Sequence, residues 1–104
     1  MEQNLVEFLT KTLDDLKAQD ILAIDVKGKS SITDAMIIAT GTSVRHVAST
    51  ADRLAQEAKQ AGFEVFGDKE KAVAVWIVVD FGQAIVHLLQ ADAREMYQLE
   101  KLWA

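Results

Sequence analysis

Few residues of this 104-residue chain have the type and spacing to do chemistry. Gly28-Lys29-Ser30 ends as a phosphate-cradling loop ends, but that loop needs a glycine five residues earlier and a helix directly afterwards. Position 23 is alanine, and a short polar loop and a strand-like run follow. The stretch reads as a turn in which Ser30 and Ser31 hydrogen-bond their own backbone. Gly41-Thr42-Ser43 opens a helical pattern whose free amides could hold an anion, although plain capping uses the same groups. His46 and His87 lie on different segments with no acid at ligand spacing, so no metal is expected. His46 reads as a solvated first-turn residue. Ser43, His46 and Asp52 make a triad only on paper, because no strained nucleophile turn supports them. Nucleotidyl transfer uses two acids on one strand to hold magnesium. Here Asp25-Val26-Lys27 puts a cation where the second acid would stand, and Asp34 and Asp80 lie on other segments. No catalytic, cofactor-binding or metal-ligating set emerges, and a nucleotide-dependent transferase remains only as the alternative.

The stretch from Trp76 to Gln90 is of another kind. Its two arms are rich in β-branched and aromatic residues and meet at Gly82-Gln83, which predicts a hairpin. With a two-residue turn, Phe81 faces Ala84, and Ile77, Val79, Phe81, Ala84, Val86 and Leu88 share one wholly apolar face. The other face carries Trp76, Val78, Asp80, Ile85, His87 and Leu89. Large apolar groups mixed with an acid and an imidazole suit a partner-binding face. They equally suit residues lying under a helix, with His87 and Asp80 hydrogen-bonded at the sheet margin, and both readings stand at this point.

The elements that must position this hairpin follow from periodicity. Leu5, Phe8, Leu9, Thr12, Leu13 and Leu16 predict an amphipathic helix over about residues 3–18. Residues 21–26 read as a strand buried for most of its length, and 35–40 as a second strand broken by Gly41. Thr42 or Ser43 caps a helix with an inner stripe of Val44, Val47, Ala48, Ala51, Leu54, Ala55 and Ala58, and Gly62 suits its C′ position. Phe63-Glu64-Val65-Phe66 reads as a short edge strand. A last helix starts at Ala91 or Asp92, and Trp103 is expected to pack on the body. The order α-β-β-α-β-β-β-α predicts one α/β (α+β) domain over 1–104, with a mixed five-stranded sheet and three helices. Three such helices cover one sheet face well and both poorly, so part of one face should stay open.

Composition narrows the partners. A net charge of −5, with no basic cluster beyond Lys69 and Lys71 around Glu70, argues against direct nucleic-acid binding. It favours a basic protein partner, since opposite fields speed encounter. The absence of cysteine removes disulfides and thiolate chemistry. No apolar run approaches the ~20 residues that cross a bilayer. Met1-Glu2-Gln3-Asn4 lacks a basic secretory start, so a cytoplasmic location is expected.

Taken together, Gly28 to Asp34, Gly41-Thr42-Ser43, Trp76 to Asp80, Val86-His87 and Tyr97 to Trp103 resemble the ribosomal silencing factor family, also called Iojap-like. The likeness runs from about residue 5 to the end. Val75 stands where the family has an acid, and the loop from Asp68 to Val73 is unlike it. The resemblance implies a nucleotidyltransferase-like fold without catalytic acids, no cofactor and no enzymatic activity. It implies binding to the large ribosomal subunit through that subunit's protein number fourteen, a basic protein at the intersubunit face. Small-subunit joining would be blocked sterically and translation lowered when nutrients are scarce. Carried over as the contact are Trp76, Asp80, His87 and Leu89 from the sheet, with Tyr97, Leu99 and Glu100 from the C-terminal segment. Trp76, Leu89, Tyr97 and Leu99 would be apolar anchors. Asp80 and Glu100 would meet Arg or Lys, and His87 would donate a hydrogen bond. The same face could bury itself in a homodimer when the protein is free.

Overall fold

The computed structural model describes residues 4–26, 28, 33–68, 76–97 and 101. Helix α1 (Leu5–Asp15) starts where the Asn4 side chain accepts from the Glu7 amide and buries Leu9, Thr12 and Leu13. Helix α2 (Val44–Gln60) is capped by Ser43, whose side chain accepts from the His46 amide. It ends as the sequence suggests, with Gly62 at φ +95°. There the Phe63 amide bonds the Ala58 carbonyl and the Gly62 amide bonds that of Lys59, which satisfies last-turn carbonyls. Val47, Ala51, Leu54, Ala55 and Ala58 face inward, whereas Val44, expected in the same stripe, is 49% exposed.

The strands are β1 (Gln19–Asp25), β2 (Ala35–Gly41), β3 (Gly67–Asp68), β4 (Trp76–Asp80) and β5 (Ala84–Gln90), followed by helix α3 (Ala91–Tyr97). They lie in the order β1-β2-β5-β4-β3. Among the described strands only β2 and β5 pair in parallel. The expected five-stranded sheet needs correction. Residues 63–66 do not form the predicted strand, and pairing begins only where the Phe66 amide bonds the Asp80 carbonyl. The sheet is therefore four full strands with a two-residue rung, Gly67–Asp68, on the free edge of β4. Phe63 is occupied elsewhere, its ring 5.2 Å from that of Phe8, which draws this segment towards α1 rather than into the ladder. Nothing in the arrangement of the described residues supports the nucleotidyltransferase-like fold that the resemblance implies. Strand β1 is also not the buried strand expected: it forms the opposite edge, with only Ile21 and Ile24 half-buried.

Alternation along the strands separates two cores. On one face, α1 and α2 cover Ile37, Ala39, Ile77, Val79, Phe81, Ala84, Val86 and Leu88, all buried. The two-residue turn holds: Phe81 and Ala84 are joined by a backbone bond of 2.9 Å, and Ile77 pairs with Leu88 and Val79 with Val86. On the other face a smaller cluster joins Val26, Met36, Ile38 and Leu89 to Ala93 of α3. Arg94 anchors that helix by donating to the Thr40 hydroxyl (2.9 Å) and to the Asp20 carbonyl.

Candidate functional site

Strand register lays the second face out as three rows. Met36, Ile85 and Asp80 form one, Ile38, His87 and Val78 the next, and Thr40, Leu89 and Trp76 the last. The middle row puts an imidazole between two aliphatic side chains. Burial there lowers the His87 pKa from 6.5 to about 4, so the ring is neutral at pH 7. The Trp76 indole sits on the diagonal from His87, a reach that long side chains make across antiparallel pairs. Its Nε1–H donates to His87 Nδ1 at 3.0 Å, with ring centroids 5.9 Å apart and planes tilted by 45°. Because Nδ1 accepts, the imidazole proton resides on Nε2.

Of the seven contact residues expected from sequence, the structure brings Trp76 and His87 together as a hydrogen-bonded pair, both half-buried. Asp80 shares their face but lies about 13 Å further along β4, at ~3.3 Å per residue. Its Oδ1 accepts from the Gly82 amide at 2.8 Å and so fixes the hairpin turn. Leu89 is fully buried beside Ala93, packed within the chain rather than offered outward. Tyr97 ends α3, but its side chain, and the whole of Leu99 and Glu100, lie outside the described residues, as does Trp103. Val78 and Ile85, half-buried, complete the patch. Alternation had already placed them there. The two readings of this face therefore divide it: Met36, Ile38, Thr40 and Leu89 are buried, with Ala93 of α3 packed on their cluster, while Trp76, Val78, Asp80, Ile85 and His87 remain half-buried.

The catalytic possibilities close differently. His46 is not merely solvated: its Nδ1 accepts from the Thr42 amide at 2.9 Å and its Nε2–H donates to the Leu16 carbonyl at 2.9 Å. With both nitrogens engaged, it ties the end of α1 to the start of α2 and leaves no base for a triad. The same contacts take the Thr42 and His46 amides that an anion at Gly41-Thr42-Ser43 would need. Lys29, Ser30 and Ser31 of the other turn, and Lys27, lie outside the described residues. Among the described residues no group of three or more His, Cys, Asp or Glu converges on a metal position. No described helix is long and apolar enough to cross a membrane.

The chain as a whole is similar to known proteins. A family model described as "Ribosomal silencing factor during starvation" matches residues 1–104. Ribosomal silencing factor RsfS of Haemophilus influenzae is 68% identical over 100 residues, covering 96% of this chain and 98% of that protein. A mouse protein named for mitochondrial assembly of the ribosomal large subunit is 34% identical over 101 residues, covering 94% of this chain and 44% of its own. A crystal structure of a Chromobacterium violaceum protein superposes with a TM-score of 0.90 at 31% identity, over 97% of this chain and 87% of that one.

Proposed function

This chain belongs to the ribosomal silencing factor family, and from that membership we propose that it docks on the large ribosomal subunit through the half-open patch of β4 and β5. Its family role, silencing of ribosomes in starvation, is a binding role and not an enzymatic one. The docking partner is the subunit's protein number fourteen, and the bound chain sterically blocks joining of the small subunit in the cytoplasm. One observation carries this reading: Trp76 and His87 form a hydrogen-bonded aromatic pair that stays half-buried beside the cluster under α3, on a face to which Val78 and Ile85 add apolar surface. Aromatic side chains so placed dominate binding energy at interfaces. Asp80, on a chain of net charge −5, suits a cationic partner. Tyr97 and Leu99 extend the contact as further anchors and Glu100 adds a second acid, while Leu89 flanks Trp76 from the neighbouring strand. In the free protein the same patch closes on a second copy, so that dimer and ribosome compete for it.

Co-sedimentation with isolated large subunits, with and without small subunits, tests the proposal. The chain is expected to pellet with large subunits and to lower the yield of joined ribosomes in proportion to its occupancy. Pelleting that leaves joining unchanged would overturn the steric block, and failure to pellet would overturn the docking.

A further inference from the structure

A half-buried indole on a sheet face can turn about two side-chain torsions, and one that stays mobile loses that freedom on docking. Here the ring is held before any partner arrives. Its N–H is satisfied within the chain by His87 Nδ1, 3.0 Å away, and the two rings lie against each other. The imidazole is itself held between Ile38 and Val78 by strand pairing on both sides. The bond requires an unprotonated Nδ1, and the aliphatic flanks keep the ring neutral. We infer that His87 is a positioning residue: it acts through Trp76, fixing the indole in its docking orientation, rather than by touching the partner. This replaces the expectation that His87 donates to the partner, and it rests on the reading that Trp76 docks.

The test uses the full chain and isolated large subunits, with the folded fraction of each variant measured by urea denaturation. His87→Phe keeps a planar ring and removes the acceptor, whereas His87→Asn restores an oxygen acceptor where Nδ1 stands. In the free protein, the Trp76 indole N–H cross-peak in 15N NMR is expected to shift in His87→Phe and to exchange faster with water. His87→Asn should bring both back towards wild type. Affinity for large subunits should fall about 5-fold in His87→Phe, the size of one lost hydrogen bond, and recover in part in His87→Asn. In a Trp76→Phe background, His87→Phe should change affinity no further, because the two act as one unit. An equal loss in that background would show His87 meeting the partner itself and would overturn the inference while sparing the docking reading. An unmoved indole signal would overturn the inference as well. Unchanged affinity of Trp76→Phe itself would overturn the docking reading and the inference with it.

Discussion

The two faces of this sheet are built from alternate residues of the same strands and are finished differently. Beneath α1 and α2, Ile37, Ile77, Val79, Val86 and Leu88 are all fully buried. On the reverse, Ile38 and Leu89 are equally buried, but Trp76, Val78, Asp80, Ile85 and His87 stop half-way. The first face has two helices over it and forms the main core. Among the described residues the second has α3 at Thr40, held by Arg94, and keeps a polar-edged remainder. The proposed docking surface thus falls on the side that folding leaves incomplete.

Adjacent leucines give the largest test of that difference. Leu88→Ala opens a cavity in the main core and is expected to cost about 3–4 kcal/mol in urea denaturation, with unchanged affinity per folded molecule. Leu89→Ala empties the smaller cluster and should cost less, about 2–3 kcal/mol. It should also weaken large-subunit binding, because Leu89 pairs directly with Trp76. Equal stability losses with no binding defect at Leu89 would remove the distinction between the faces.

Acid sharpens the contrast next. The folded His87 pKa lies near 4 against 6.5 for the free group, so below pH 6.5 the unfolded chain takes up a proton that the folded one refuses. Its contribution to stability is present above pH 6.5 and is lost as pH falls towards 4, by at most ~1.4 kcal/mol per pH unit. Denaturation midpoints across that window should fall less steeply in His87→Phe than in wild type. No such difference should separate wild type from a variant of the helix-covered face.

The smallest effect lies off both faces and serves as their control. Lys17 stands at φ +70° in the left-handed turn that ends α1, where the Ala18 amide bonds the Leu13 carbonyl. Lys17→Gly should relieve that strain and raise stability by about 0.5–1 kcal/mol, with affinity untouched.

Much of this was legible in the chain because the signals were local. The hairpin could be read from alternation and from Gly82-Gln83, the helix cap to Thr42 or Ser43 from their place before an apolar stripe, and Gly62 from its place after one. What escaped depended on partners distant in sequence. Phe63 to Phe66 have strand-forming side chains, yet a ladder is made by backbone pairing, and only Phe66 reaches Asp80. Strand β1 is apolar enough for an interior position, but its neighbours put it at an edge. The role of His46 turns on a carbonyl thirty residues away, at Leu16. Of the site, Trp76 and His87 were visible as types on one face. Their mutual hydrogen bond was not, and Leu89 could be placed inside only once α3 was seen above it.

The most direct measurement is the affinity of Trp76→Ala for isolated large subunits, with its folded fraction determined in parallel. Docking through the indole predicts binding weakened by ~2 kcal/mol, about 30-fold, with the variant still folded. Wild-type affinity in a destabilised variant would contradict it and return Trp76 to the interior.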